Sequence, residues 1–143
     1  MSAEGRFLVV RAGGERYGLA LDAVREVLDV TVPPRPVPAR TLALRGVIPH
    51  RERFLSLLHL GALLGGGAPP AAVGDTAVVV ETARTALALE VDDVEVVVDR
   101  GATFVGAAGA AWTQGVWRVG TELVTVLDLG VLAERVTEGG GGA

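Results

Sequence analysis

The amino-acid sequence predicts a mostly β protein built as two pseudo-symmetric small barrels, and three observations carry that prediction. The first is an internal repeat with a period of 69 residues. Gly46-Val47-Ile48, then six residues, then Leu55-Ser56-Leu57-Leu58-His59-Leu60-Gly61 returns as Gly115-Val116-Trp117, the same gap, and Val124-Thr125-Val126-Leu127-Asp128-Leu129-Gly130. Upstream of each copy lies a matching stretch, Phe7 to Leu28 and Ala77 to Val98. The second is a series of short apolar runs with turn residues every eight to twelve positions, the pattern of small barrels. The third is composition. Half of the 143 residues are apolar but only 4% are aromatic, so the core is expected to be mainly Val, Leu and Ala. A supersecondary unit used twice buries its apolar face on its twin, and the seam between the halves is the natural docking place.

Taken in order, Phe7 to Arg11 reads as a strand and Gly13-Gly14 as the turn that reverses it. Tyr17 to Asp22 is the next strand, with Tyr17, Leu19 and Leu21 on one face. Asp22 to Leu28 reads as a helical turn passing into a third strand. Pro33-Pro34-Arg35-Pro36-Val37-Pro38 can hold neither a ladder nor a helix and reads as a stiff, extended connection. Gly46 to Ile48 and Phe54 to Leu58 pair as strands, and a short helix follows at 60–64. Residues 65–74, with four glycines and two consecutive prolines, form the linker between lobe one (6–64) and lobe two (75–136). The second lobe reads as strands at 76–81, 85–91 and 94–98, an Ala/Gly-rich crossover at 101–111, strands at 113–119 and 122–127, and a helix at 129–136. Residues 137–143, with four consecutive glycines, are expected to be a disordered tail.

Several function classes are excluded. No apolar run reaches the roughly 18 residues of a membrane span, and no basic region followed by an apolar stretch marks a secretory signal. Cysteine is absent, so there are no disulfides and no thiolate chemistry. These features point to a cytoplasmic globule. A net charge of −4 argues against general nucleic-acid binding, which relies on basic residues neutralising phosphates. Stacking aromatics on a basic face are missing too. The charge is uneven, with five Arg and one Glu between Arg35 and Arg53, and seven acids against Arg84 alone between Asp75 and Asp99. That asymmetry would allow end-to-end pairing with a similar molecule, or be ordinary solvated loops.

Catalysis finds no constellation. His50 and His59 have no cysteine to complete a metal site and are expected at exposed or edge positions. Ser56 and Thr125 hold equivalent places in the repeat, a mark of fold rather than of nucleophiles. Gly65-Gly66-Gly67 lacks the Lys-Ser/Thr of a phosphate loop. The chain is therefore read as a non-enzymatic interaction module without metal or cofactor. Val24, Val27 and Leu28 flank Arg25 and Glu26 near a rim. Glu26 and Arg51, one on each side of the proline segment, would form a salt link if their strands are neighbours.

The order Phe7-Leu8-Val9-Val10, Tyr17-Gly18-Leu19, Val24-Arg25-Glu26-Val27-Leu28, Pro38 and Gly46-Val47-Ile48 followed by an Arg resembles the CheW-like coupling proteins of bacterial chemosensory systems. Val91-Asp92-Asp93-Val94 is similar to that family's Val-Asp-x-Val segment, and Leu127-Asp128-Leu129 to its closing Leu-Asp-Leu. The resemblance spans residues 6–136. It implies two five-stranded SH3-like barrels around a shared core, with a short helix after each repeat. It also implies a non-enzymatic adaptor that couples chemoreceptor cytoplasmic tips to a CheA-type histidine kinase. The receptor tip would dock as a helical hairpin between the barrels, and the kinase regulatory domain barrel to barrel. The positions that match the partner-binding residues are Val24, Glu26, Val27, Arg51 and Val94, with Glu26 and Arg51 on the family's bridging Glu and Arg. The chain departs from the family pattern at Pro49-His50-Arg51-Glu52, where Asn-Leu-Arg-Gly is usual, so that Glu52 replaces a turn Gly. It departs again at Ser56 and His59, which replace a Pro and an Asp. An alternative follows from these departures, a divergent scaffold that no longer binds the kinase and serves another signalling or motility pathway.

Overall fold

Short runs of valine and leucine, broken by turn residues, form eleven strands among the residues that the computed structural model describes. These are 5–38 and 41–140, the last four by backbone alone. Strands β1 (Phe7–Ala12) and β2 (Glu15–Ala20) make a hairpin over Gly13-Gly14, and a 3₁₀ turn at Leu21–Ala23 leads into β3 (Val24–Asp29). A second hairpin, β4 (Leu44–His50) and β5 (Arg53–His59), runs into the short helix α1 (Leu60–Leu63). The second repeat supplies β6 (Thr76–Glu81), β7 (Ala86–Glu90), β8 (Asp93–Val98), β9 (Thr103–Gly106), β10 (Thr113–Val119), β11 (Glu122–Leu127) and helix α2 (Leu129–Gly140).

The strands form a six-stranded sheet, β8-β1-β2-β11-β10-β9, and a five-stranded sheet, β3-β6-β7-β5-β4. Each sheet takes strands from both repeats. The β1–β2 hairpin lies between β8 and β11, and the β6–β7 hairpin between β3 and β5. The linker thus divides the sequence repeat and not the sheets, and pulling the repeats apart would break β pairing in both. Both sheets curl. The outer strands β8 and β9 of the larger sheet are joined by only four residues, a span of roughly 17 Å at most. In the smaller sheet the chain leaving β3 crosses to the far edge, where Arg35 and Val47 exchange hydrogen bonds of 2.8 and 2.9 Å.

Alternation assigns the side chains to three cores. Phe7, Val9, Val98, Trp117, Val124 and Val126 fill the hollow of the larger sheet. Ile48, Leu55, Leu57, Ala77, Val79 and Ala88 fill that of the smaller. Their alternates, including Leu8, Val10, Leu19, Leu58, Val78, Val80, Leu89 and Leu127, meet in one larger core between the sheets. Helix α2 seals it with Leu129, Leu132, Ala133 and Val136, a helical stripe at i, i+3, i+4 and i+7.

The repeat extends to backbone detail. β4 and β10 share one burial alternation, and each slips register at its glycine, Gly46 and Gly115. Both glycines have positive φ, 138° and 130°, and a Cβ at Gly46 would meet the Arg35 carbonyl. This is why Gly opens both copies of the Gly-Val motif.

The sequence reading needs four corrections here. Residues 103–106, expected within a crossover, form β9, because Phe104 pairs beside Trp117. The same place in the first repeat is the proline segment, which manages a single bridge at Arg35 because proline has no N–H to continue a ladder. Helical backbone continues past 136 to Gly140, and the rest of the expected tail, 141–143, lies outside the described residues. The positive φ of the β4–β5 turn falls on Arg51 (58°) and not on Glu52. His50, expected at an exposed or edge position, does stand on the edge strand β4, but its ring is largely buried.

Candidate functional site

The strand β3 is the centre of the site because a bulge changes which of its side chains share a face. Val24 pairs with Val80, but Glu26 pairs with Val79 and Val27 with Val78, so Arg25 is the extra residue. Directly paired residues of antiparallel strands point to the same side. Val24 and Val27 therefore both lie on the side of Val80 and Val78, towards the shared core, although they are three apart. Val24 packs against that core, whereas Val27 stays 47% exposed at its margin. Glu26 lies on the opposite side, with Leu28 and the hollow of the smaller sheet.

The same device recurs on β8. Val94 pairs with Val10 and Val96 with Val9, leaving Glu95 as the extra residue, and Val97 pairs with Leu8. Val94 packs against the shared core and Val97 is exposed. Each repeat thus offers one seated and one exposed valine beside the core between the sheets. Sequence reasoning named Val24, Val27 and Val94 but missed Val97. Offsetting Val27 by 70 residues, the spacing of the upstream stretches, would have found it.

Glu26 closes the smaller sheet. Its Oε1 accepts from Nη2 of Arg51 at 2.7 Å and lies 3.0 Å from Nε2 of His50. Glu26 is on β3 and the other two on or just beyond β4, the two outer strands of that sheet. The link predicted between neighbouring strands is instead a clasp between edges that curling brings together. The hydrogen bond from His50 first, and that from Arg51 second, hold the Glu26 carboxyl below the usual glutamate range. Arg51 is 73% exposed, whereas the His50 side chain is only 11% exposed.

His59 also has a defined task. Its Nδ1 accepts from the Ala62 N–H at 3.0 Å and caps α1, as Asp128 Oδ1 accepts from Val131 at 3.1 Å to cap α2. Replacing the Asp of the first repeat by His therefore keeps the cap. Among the described residues no cluster of His, Asp or Glu is arranged to hold a metal ion.

Four of the seven acids between Asp75 and Asp99 are held in ion pairs inside the molecule, and one of these pairs, Arg45 with Glu90, joins the basic segment to the acidic one. Arg6 pairs with Asp99, Arg16 with Glu95 and Glu122, Arg25 with Glu81, and Arg45 with Glu90. Three of the aromatic residues pack on one another. Phe7 and Trp117 meet edge to face at 6.2 Å, and Phe104 meets Trp117 at 4.9 Å. Burial, with the charge of Glu15 second, raises the Tyr17 hydroxyl above its ordinary range.

Two curled sheets of mostly β structure around a shared core fit the two-barrel fold that the sequence resemblance implied, and the interleaving of the repeats is an addition to it. The family model of the CheW-like domain matches residues 6–137. The chain belongs to the CheW-like family. As a CheW-like protein it falls among the scaffolds and adaptors of chemotaxis signalling. Its fold is similar to that of the scaffolding protein TtCheW from Thermoanaerobacter tengcongensis, with a TM-score of 0.72 over 87% of this chain and 88% of that one at 20% identity. Comparison with curated proteins gives no match. No helix among the described residues of this CheW-like chain is long and apolar enough to cross a membrane.

Proposed function

We propose that the protein is a cytoplasmic, non-enzymatic adaptor that couples chemoreceptor cytoplasmic tips to a CheA-type histidine kinase. The observation that carries the receptor half is the pair of matched bulges. They set Val24 and Val27, and again Val94 and Val97, along the margins of the core between the sheets, where a helical hairpin would find apolar purchase. Glu26 and Arg51, on the other side of the edge strand β3 from these valines, supply the polar part of the contact. The kinase regulatory domain, of the same fold family, would pair with a sheet edge. No cofactor, nucleic acid or membrane insertion takes part.

The rebuilt turn supports a second reading. Pro49, Glu52, Ser56 and His59 all lie on or beside the β4–β5 hairpin, so an edge used for kinase pairing differs from the family pattern. On that reading the chain holds a receptor tip but not the kinase, and serves another pathway.

Calorimetry of the purified protein against its own organism's CheA regulatory domain, and separately against a receptor-tip hairpin, tests both. Micromolar or tighter binding of both supports the coupling role. Receptor binding without kinase binding favours the second reading, and binding of neither by folded protein overturns both.

A further inference from the structure

We infer that His50 is a positioning residue for the partner-facing carboxylate of Glu26, an inference that rests on the reading just given. Glu26 Oε1 has two holders of different kinds. Arg51 is 73% exposed, and an exposed guanidinium in water is a loose anchor worth little by itself. His50 is 11% exposed, so the packing around its ring restricts it far more than water restricts Arg51. A carboxylate only accepts, so the proton of the His50 ring lies on Nε2 and is donated to Glu26.

The other ring nitrogen supports this assignment. Nδ1 is buried with no hydrogen-bond partner among the described residues. Buried polar atoms are normally satisfied, and leaving one bare costs free energy. Leucine would occupy this position without that cost. What the imidazole adds is one directed N–H, and Glu26 receives it. With Oε1 held from two sides, Oε2 makes no hydrogen bond to the described residues and is free to accept from a partner. The partner group that fits is an N–H donor, such as a side-chain amide, ammonium or guanidinium, presented at the β3 edge of the smaller sheet.

The second repeat contains no such device. Val96 stands where Glu26 stands, at the 70-residue offset, and Val119 where His50 stands, at 69. The clasp is therefore particular to one edge of the molecule. It gives the two pseudo-equivalent margins different chemistry, and with it the means to take different partners.

A double-mutant cycle on the full chain tests this, read by calorimetry against the receptor-tip hairpin and the kinase regulatory domain. The variants are His50→Leu, His50→Gln, Glu26→Ala and Glu26→Ala with His50→Leu. For the partner whose binding Glu26→Ala weakens, His50→Leu is expected to raise Kd about 3- to 10-fold, the worth of one hydrogen bond. His50→Gln, which keeps an N–H donor, is expected to recover most of that loss. The double variant is expected to bind no worse than Glu26→Ala alone. Nitrogen NMR of the free protein is expected to show His50 protonated on Nε2 and bare on Nδ1. Wild-type affinity in His50→Leu, with binding weakened in Glu26→Ala, overturns the positioning role and leaves the adaptor reading standing. Unchanged binding of both partners by Glu26→Ala removes Glu26 from the docking site and overturns the inference with it.

Discussion

Glu26 and Arg51 meet at 2.7 Å although they belong to opposite edges of one five-stranded sheet. Between their strands lie β6, β7 and β5, so the contact exists only because the sheet curls. The ion pair is therefore a reporter of closure as well as a surface feature, and its titration is expected to show in stability. The Glu26 carboxyl is held below the usual glutamate range, chiefly by His50 and then by Arg51. A group with a depressed folded-state pKa contributes stability that is fully present above its unfolded-state pKa. That contribution is lost as the pH falls through the folded-state value. The stability gap between wild type and Glu26→Gln is thus expected to close as the pH falls below the usual glutamate range. Urea unfolding at a series of pH values checks this, and a gap that is flat into strong acid would show that the pair contributes nothing to closure.

Arg51 adds a second effect, because its φ of 58° lies in the region that side chains avoid. Arg51→Ala keeps that strain and removes the contact, whereas Arg51→Gly removes both. The glycine variant is expected to be more stable than the alanine variant by about 1 kcal/mol, the usual cost of a left-handed non-glycine residue. Chemical denaturation of the two side by side measures the difference. Equal stabilities would mean that the turn relaxes once the guanidinium is gone.

Much of this was legible in the sequence because the repeat doubles every signal. The succession of strands along the chain, both helix starts and the strands that hold the Gly-Val motif follow from periods that appear twice. The pairing of Glu26 with Arg51 was legible as a possibility, from one acid and one base flanking the proline segment. Its setting was not, because which strands end up as edges is decided by the interleaving of repeats, a property of pairing across some 70 residues. β9 was missed because Ala-Thr-Phe-Val-Gly-Ala-Ala carries too short an apolar run to stand out from a loop. It becomes a strand only because β10 offers it an edge. The part played by His50 was hidden for a related reason, since burial of a residue next to a turn depends on how far the sheet closes over it.

The bulge on β3 makes a sharp contrast between two neighbouring valines. Val24 packs against the shared core and Val27 does not, although both point towards it. Val24→Asp is expected to cost about 2 kcal/mol or more of stability, because it places a carboxylate against apolar groups. Val27→Asp is expected to leave the melting temperature within a few degrees of wild type while weakening receptor-tip binding on the order of tenfold or more. Thermal melts and calorimetry on the two variants separate the effects. Retained binding in Val27→Asp would remove this valine from the docking margin.

Arg45 and Glu90 carry the largest single prediction. Both side chains are buried, and they meet through two contacts, Nε to Oε1 at 2.7 Å and Nη2 to Oε2 at 3.2 Å. Around them the linker is tied down. Arg45 also donates to the carbonyls of Pro70 and Ala72, and Gly74 donates to Glu90 Oε2 at 2.7 Å. A composition rich in Gly and Pro would otherwise leave 65–74 loose between repeats whose strands interleave. Removing one partner of a buried pair strands the other charge, and the loss exceeds what the pair adds when intact. Arg45→Ala is therefore expected to cost about 3–5 kcal/mol, whereas exposed Arg6→Ala, which breaks a surface pair with Asp99, should cost under about 1 kcal/mol. The linker contacts add a local signature, faster proteolytic cleavage within 65–74 in Arg45→Ala under conditions where the variant is still folded. Denaturant unfolding gives the first quantity and limited proteolysis the second. A loss near that of Arg6→Ala, with the linker cut no faster, would mean that the sheets hold the linker in place without this pair.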